Sequence, residues 1–270
     1  MTSQVSHPVS AAEAPSAAGH EPVSFADVQA LEPTLTEVAP GAYGAAPEQT
    51  IKRYTSVTPS RGTNVVVIHG GCWSNAFDRD HALPMVAALN AAGFDVWLPE
   101  YRRVGDPGGG WPGTFDDIRA AIAYAHKHGG APPWLIGHSA GGHLALWAGS
   151  DSTQPVAGVI ALAAITDLTR YGDQQGSCQE MVPQLLGGSP ATHPDRYRKT
   201  NIRPAALSLP YRLLWGDQDP IVGEDQLLGF PSERIERIPG AGHFDLIHPH
   251  TPAFARVLQT MKQQMVAHES

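Results

Sequence analysis

The chain has 270 residues, enough to bury a sizeable core and suited to one large α/β domain. Its formal net charge is -8 and its pI is near 5.9, so it carries no excess positive charge that would draw it onto phosphate backbones or anionic membranes. We therefore expect no nucleic-acid or membrane partner. The charge does not identify the small-molecule substrate that the motifs below predict, and the oligomeric state is left open.

The N-terminal residues 1–23 are rich in Ala, Ser and Pro and contain almost no large apolar groups, which predicts a flexible tail. This segment lacks the basic start and apolar run of a secretory signal, and no stretch of the chain approaches the ~18 apolar residues of a membrane span. Cys72 and Cys178 are too few for a disulfide framework. We expect a soluble cytoplasmic protein with reduced cysteines, a single bridge being the alternative.

Residues 24–270 are predicted to form one domain whose folded part begins between Ser24 and Ile51. Short apolar or β-branched runs alternate with longer segments of helical spacing, which is typical of parallel strands joined by crossover helices. The predicted strands are 64–69, 95–100, 134–137, 159–163, 211–215 and 234–238, and the predicted helices are 80–92, 114–128, 140–150 and 251–266. Residues 166–209 break this alternation with several Gly and Pro residues, and we expect a cap-like insertion over the carboxyl edge of the sheet.

A G-x-S-x-G pattern follows the predicted strand 134–137, with Ser139 between Gly137 and Gly141 and a helical pattern after it. A strained strand-to-helix turn of this kind projects the serine hydroxyl above the sheet, and only glycine fits at the flanking positions. The motif alone is also compatible with an ordinary glycine-rich connection. The order of the other elements favours a nucleophile at Ser139.

A serine nucleophile needs a base and an acid that orients this base, in the chain order serine, acid, histidine. Asp217 and Asp219 follow the predicted strand 211–215, and His243 lies in a glycine-rich loop after strand 234–238. We favour Asp219 as the acid, with Asp217 as a turn residue that bonds its own backbone. The alternative, Asp217 as the acid, stays open.

The remaining twelve of the thirteen histidines fit less well. Most of them lie in the tail, at helix ends or at exposed positions, and none combines with acids at metal-ligand spacing. His138 and His143 flank Ser139 but are expected to be packing or supporting groups. We therefore predict His243 as the base and no metal site.

The sequence HGGCW at 69–73 follows the first predicted strand and is a candidate oxyanion loop. The backbone N–H groups of Gly70, Gly71 and Cys72, together with that of Ala140 after the nucleophile, could stabilise the negative charge of a tetrahedral intermediate. Trp73 is predicted at the rim of the pocket as an aromatic wall. A core tryptophan beside a structural turn is the alternative.

These residues resemble the α/β-hydrolase fold, and within it the group with an HGG-x-W motif that includes kynurenine formamidases (arylformamidases) and hormone-sensitive-lipase-like esterases. The resemblance covers roughly residues 51–266 and rests on four motifs in matching order: HGGCW at 69–73, GHSAGGHLA at 137–145, WGDQDPIV at 215–222 and GAGHFDLI at 240–247. It implies a mostly parallel central sheet with helices on both faces and a short cap, with Ser139, Asp219 and His243 as the catalytic residues and no cofactor.

The substrate pocket is less well defined by this resemblance. Lipase-like esterases usually carry a third glycine where this chain has Cys72 followed by Trp73, which favours the formamidase side. We expect Tyr171, Gln174 and Glu180 of the insertion to line the pocket. The leading hypothesis is an N-formyl-L-kynurenine formamidase acting through a Ser139 acyl-enzyme. The alternatives are a carboxylesterase for short acyl or aryl esters and a non-catalytic ligand-binding protein on the same fold.

Overall fold

The computed structural model describes residues 21–56 and 63–269. Most of the predicted N-terminal tail lies outside these residues. Its last residue already contacts the folded domain, because the backbone N–H of Val23 donates to Oδ2 of Asp245 at 3.2 Å.

An eight-stranded sheet in the order β1-β2-β4-β3-β5-β6-β7-β8 forms the centre of the described chain. The strands are β1 Glu37–Ala42, β2 Thr50–Tyr54, β3 Asn64–Ile68, β4 Asp95–Pro99, β5 Trp134–His138, β6 Gly158–Leu162, β7 Tyr211–Gly216 and β8 Ile235–Ile238. β1 and β2 are antiparallel to their neighbours, and the strands from β4 through β8 pair in parallel. The predicted mostly parallel α/β architecture is confirmed.

β1 and β2 are not among the strands predicted from the sequence. β1 contains Pro40 and Gly41, which are normally depleted in strands, and a register irregularity interrupts its pairing near Glu37. Proline is tolerated in a strand at the edge of a sheet, which is where β1 lies. Its sequence therefore carries little of the strand signal that the apolar inner strands show.

Helices cover both faces of the sheet, and side chains alternate between the two sides along each inner strand. Val66 and Ile68 of β3 face one hydrophobic cluster, and Val65 and Val67 face the other. The α-helices are α1 Phe25–Gln29, α2 Leu83–Ala91, α3 Gly113–Gly129, α4 Ala140–Gly149, α5 Leu168–Gly172, α6 Ser177–Leu186, α7 Pro194–Thr200 and α8 Pro252–Glu269. α3 and α4 pack in the first cluster, and α2 and α8 in the second. Burial on both faces explains why the inner strands are almost entirely apolar.

The segment predicted as an insertion forms three short helices, α5, α6 and α7, between β6 and β7. Its apolar side chains, among them Leu168, Val182 and Leu185, are buried in the cluster that also holds α3 and α4. None of the helices in the described part of the chain has the length and apolar character needed to cross a membrane.

Candidate active site

A cavity of about 340 Å³ opens where the loops after β3, β5, β7 and β8 meet. The carboxyl ends of parallel strands lie at one edge of a sheet, which is where open α/β folds bind their ligands. The cavity is lined by Phe25, Gly71, Cys72, Ser74, Phe77, His81, His138, Ser139, Ser177, Cys178, Met181, Ile221, His243 and Phe244. Ser139 and His243 thus share one small cavity with predominantly apolar walls.

Ser139 occupies the sharp turn between β5 and α4. Its backbone has φ 56° and ψ -120°, a strained conformation that costs on the order of 1–3 kcal/mol for a residue other than glycine. A Cβ on Gly141 would lie 2.1 Å from the carbonyl oxygen of Ile68, so this position of the motif admits no side chain. The turn is further held by the backbone N–H of Ser139, which donates to Leu162 in β6 at 2.8 Å. These contacts hold the strained turn, and Ser139 lines the cavity.

His243 and Asp219 form a buried pair beside this serine. Nδ1 of His243 lies 2.7 Å from Oδ2 of Asp219, and the two side chains are 4% and 0% exposed. The other carboxylate oxygen of Asp219 accepts the backbone N–H groups of Ile221 at 2.8 Å and Val222 at 2.9 Å. Since the carboxylate accepts from Nδ1, the proton sits on that nitrogen, and Nε2 is left as the basic atom of the ring.

Asp217, the alternative acid, is exposed and points elsewhere. Its Oδ1 accepts the backbone N–H of Gly240 at 2.7 Å. It therefore ties the loop after β7 to the loop after β8, and the expectation that it bonds its own turn is wrong. Asp245 supports the same histidine loop from the other side, because its Oδ2 accepts the N–H of Gly242 at 2.9 Å.

Two further histidines line the cavity in the neutral state. Burial, together with the charge of His243, holds the pKa of His138 well below its usual value, and burial together with His69 lowers the pKa of His81 to about 4. Nε2 of His138 donates to the carbonyl of His243 at 3.0 Å. Because His138 is uncharged, it can brace the loop without opposing a positive charge on the His243 ring.

The predicted oxyanion residues surround Ser139. Gly71 and Cys72 line the cavity, Gly70 lies against His138 and Ser139, and Ala140 begins α4 directly after the serine. Gly71 has φ 102° and would place a Cβ 2.4 Å from Phe77, so only glycine fits there. Within the described residues, no backbone carbonyl accepts from the N–H groups of Gly71, Cys72 or Ala140. These donors are thus available to a ligand.

His69 anchors this loop from below. Its Nδ1 donates to the carbonyl of Gly70 at 2.8 Å, and its Nε2 donates to Oε1 of Glu100 at 2.7 Å. Burial alone would raise the pKa of Glu100, but His69, Arg103 and the backbone N–H of Arg79 outweigh it and lower this pKa to about 2. Glu100 is therefore ionised under the oxyanion loop throughout the ordinary pH range.

Cys72 and Cys178 form a disulfide between the oxyanion loop and α6, with their Cα atoms 5.0 Å apart. The expectation of reduced cysteines is not met, and the structure has the alternative, a single bridge. Both cysteines line the cavity.

The predicted rim position of Trp73 is wrong. Its side chain is 0% exposed and makes an edge contact with His143 at 5.5 Å between ring centroids, within the core below the cavity. The alternative considered for the sequence, a core tryptophan beside a structural turn, describes this residue.

The three residues expected to line the pocket from the insertion also lie elsewhere. Tyr171 is fully buried, and burial together with the charges of Asp219 and Asp225 raises its pKa. Gln174 donates to the carboxylate of Asp225 at 3.0 Å, and Glu180 is exposed on α6. The insertion reaches the cavity through other residues of α6, namely Ser177, Cys178 and Met181.

A cluster of aromatic side chains that the sequence did not predict forms one wall of the cavity. The Phe25 ring from α1 lies 5.6 Å from Phe77, 5.5 Å from His81 and 5.4 Å from Phe244, measured between centroids. Phe244 could have been noticed as the neighbour of His243. No local pattern marks Phe25, which reaches the cavity from a five-residue helix at the start of the described chain.

Several solved structures share this fold. A truncated carbohydrate esterase from gut microbiota is 20% identical, with a TM-score of 0.71, 86% of this chain and 98% of that chain being covered. Esterase B from Lactobacillus rhamnosis, inhibited by a tributyrin phosphonate, is 20% identical with a TM-score of 0.69, and 90% of each chain is covered. A putative thioesterase from Silicibacter sp. is 17% identical with a TM-score of 0.64, covering 87% of this chain and 88% of that chain.

These likenesses show that the chain has the α/β-hydrolase fold, and they do not single out the kynurenine formamidase group. The model of one family, BD-FAE, matches residues 54–231. This match includes Ser139 and Asp219 and extends over more than half of the sequence. The chain belongs to the BD-FAE family.

Proposed function

We propose that the protein is a carboxylesterase that cleaves short acyl or aryl esters through an acyl-enzyme on Ser139. The observation that carries this proposal is the buried Asp219–His243 pair, joined at 2.7 Å, in the same cavity as the strained Ser139. A serine is a weak nucleophile until an adjacent base takes its proton, and this arrangement supplies the base and its orienting acid.

The reaction follows from these positions. Nε2 of His243 accepts the hydroxyl proton as Oγ of Ser139 attacks the ester carbonyl, and Asp219 stabilises the imidazolium that forms. The N–H groups of Gly71, Cys72 and Ala140 donate to the resulting oxyanion. His243 then protonates the departing alcohol, and a water molecule, activated by the same histidine, releases the acid and restores the serine.

The apolar walls of the cavity are suited to bind an apolar acyl or aryl group of the substrate. Phe25, Phe77, Phe244, Met181 and Ile221 provide apolar surface, and the histidines other than the base are neutral. Membership of the BD-FAE family and the esterase names of the similar structures support ester chemistry.

Formamide cleavage is the second candidate. Trp73, the predicted aromatic wall of the pocket, is buried in the core and cannot contact such a substrate. The Phe25 wall could hold an aromatic ring in its place, so formamidase activity belongs in the same test.

The test compares the purified protein with Ser139→Ala, His243→Ala and a control variant, Ser232→Ala, whose serine lies in a surface turn before β8. Each is assayed on methyl acetate, methyl benzoate and N-formyl-L-kynurenine, and is treated with a fluorophosphonate probe whose attachment site is mapped by mass spectrometry. We expect ester cleavage and labelling of Ser139 in the wild type and the control. Loss of Ser139 should reduce kcat by about a millionfold.

Faster cleavage of the formamide than of both esters would replace the carboxylesterase assignment by the formamidase one. Failure to cleave any substrate, with no probe on Ser139, would favour the non-catalytic binding protein.

A further inference from the structure

The disulfide between Cys72 and Cys178 joins two parts of the cavity wall that are 106 residues apart in the sequence. Cys72 belongs to the loop after β3, and Cys178 to the first turn of α6. Their Cα separation of 5.0 Å lies within the usual range for disulfides. A covalent bond thus connects the candidate oxyanion loop with the cap.

The loop is strained at this point. Gly71, Cys72 and Trp73 have φ values of 102°, 54° and 56°, so two consecutive residues other than glycine occupy the left-handed region. Such a conformation persists only where the surroundings hold it. On the C-terminal side, the buried Trp73 ring and the hydrogen bond from Val104 N–H to the Trp73 carbonyl, at 2.8 Å, provide this support. At Cys72 itself, two contacts hold the turn: the backbone N–H of Ser74 donates to the carbonyl of Gly71 at 2.9 Å, and the disulfide fixes the side chain.

The other end of the bond is firmly attached. Val182 and Leu185 of α6 are fully buried, and the backbone N–H of Trp111 donates to the carbonyl of Leu185 at 2.7 Å. Helix α6 therefore belongs to the packed core and can hold Cys72 in a fixed position.

We propose that Cys178 is a positioning residue, which through its disulfide with Cys72 holds the N–H groups of Gly71 and Cys72 where the oxyanion forms, so that turnover depends on the redox state of this pair. The inference rests on the proposed esterase function. Oxyanion donors act on the transition state, so their displacement lowers kcat more than it changes KM.

Reduction by dithiothreitol is the chemical step to be tested. One thiolate of the reagent attacks a sulfur of the bridge and forms a mixed disulfide, and the second thiolate then displaces the protein sulfur. The S–S bond is broken, both cysteines become thiols, and the reagent is oxidised to its cyclic disulfide. Oxidised glutathione reverses the change by two exchanges of the same kind and leaves as two glutathione thiols.

The experiment measures kcat and KM for methyl acetate over a series of ratios of reduced to oxidised dithiothreitol. At each ratio, alkylation and mass spectrometry count the free thiols of the protein. We expect no alkylated cysteine in the oxidised protein, and two after reduction. We expect kcat to fall by roughly tenfold or more, because loss of one complete oxyanion donor costs about 10²–10³ in kcat. Oxidised glutathione should restore kcat, and KM should change by less than about threefold.

The matched controls are Cys72→Ser/Cys178→Ser and Cys178→Ser, which should have the low kcat of the reduced enzyme and no response to dithiothreitol. Near-UV circular dichroism of the reduced wild type shows whether the core stays folded, and recovery of kcat on reoxidation excludes irreversible loss.

Equal kcat in the oxidised and reduced forms would overturn the inference while leaving the esterase function intact. Two free thiols in protein treated with oxidised glutathione would also overturn it. Failure of both forms to cleave any ester or to react with a fluorophosphonate would instead overturn the proposed function, and this inference with it.

Discussion

Nδ1 of His243 lies 2.7 Å from the carboxylate of Asp219, whereas the carboxylate of Asp217, two residues earlier, accepts the backbone N–H of Gly240. Both aspartates follow β7, and both bond the loop after β8. Only one of them reaches the ring of the histidine. The choice between them is therefore made by the direction of each side chain after the turn at Gly216.

Replacement of Asp219 by Asn should lower kcat/KM for methyl acetate by roughly 10⁴-fold, because an amide favours the wrong tautomer of His243. Asp217→Asn should stay within about threefold of the wild type, because the amide oxygen still accepts from Gly240. Steady-state kinetics of both variants test this prediction. The opposite ranking would assign the acid to Asp217.

Removal of the Phe25 ring should change selectivity. Phe25→Ala should lower kcat/KM for methyl benzoate about tenfold relative to methyl acetate, since an aromatic pair contributes about 0.5–1.5 kcal/mol beyond the area that it buries. Phe230→Ala is the matched control, because this ring packs against Tyr211, away from the cavity. An unchanged ratio of the two substrates in Phe25→Ala would show that α1 does not contribute to substrate choice.

Replacement of Trp73 should lower the stability of the fold and leave the preference between the two esters unchanged. Trp73→Ala empties a fully buried site and should reduce the free energy of unfolding by about 3–5 kcal/mol. Urea denaturation measures this loss, and the ratio of methyl benzoate to methyl acetate turnover should stay at the wild-type value. A loss of methyl benzoate turnover alone would instead show that Trp73 contacts the substrate, as its predicted position at the pocket rim requires.

The buried carboxylate of Glu100, which accepts from His69 at the base of the oxyanion loop, should contribute stability that depends on pH. The pKa of Glu100 is lowered from 4.5 to about 2 in the folded protein. The stability that Glu100 contributes is therefore fully present above its pKa in the unfolded chain, and is lost as the pH falls from about 4.5 towards 2. Glu100→Gln should cost on the order of 3 kcal/mol at pH 7, because it leaves buried cationic partners unpaired. The difference from the wild type should narrow between pH 5 and pH 3.

Urea unfolding at several pH values measures this difference. Glu224→Gln is the control, because Glu224 pairs with Arg237 on the surface and should change stability by less than about 1 kcal/mol. A gap between wild type and Glu100→Gln that stays constant down to pH 3 would contradict the assigned pKa.

Strands β3 to β7 could be predicted because each carries its own signal, a short apolar run that is buried along nearly its whole length. β1 could not, because an edge strand tolerates Pro40 and Gly41 and needs no such run. The cap helices α5 to α7 carry little helical signal, since they are short, α6 contains Pro183, and glycine or proline lies at the ends of α5 and α7.

At the candidate site, the turn at Ser139 and the order of serine, acid and histidine could be predicted from the sequence alone. These features depend on contacts between neighbouring residues and on strands whose carboxyl ends share one edge of the sheet. Four features emerge only once the chain is folded: Asp219 bonds His243, Trp73 is buried, Phe25 lines the cavity and Cys72 is bonded to Cys178. These contacts join distant segments, so their partners depend on how the helices and loops pack around the sheet.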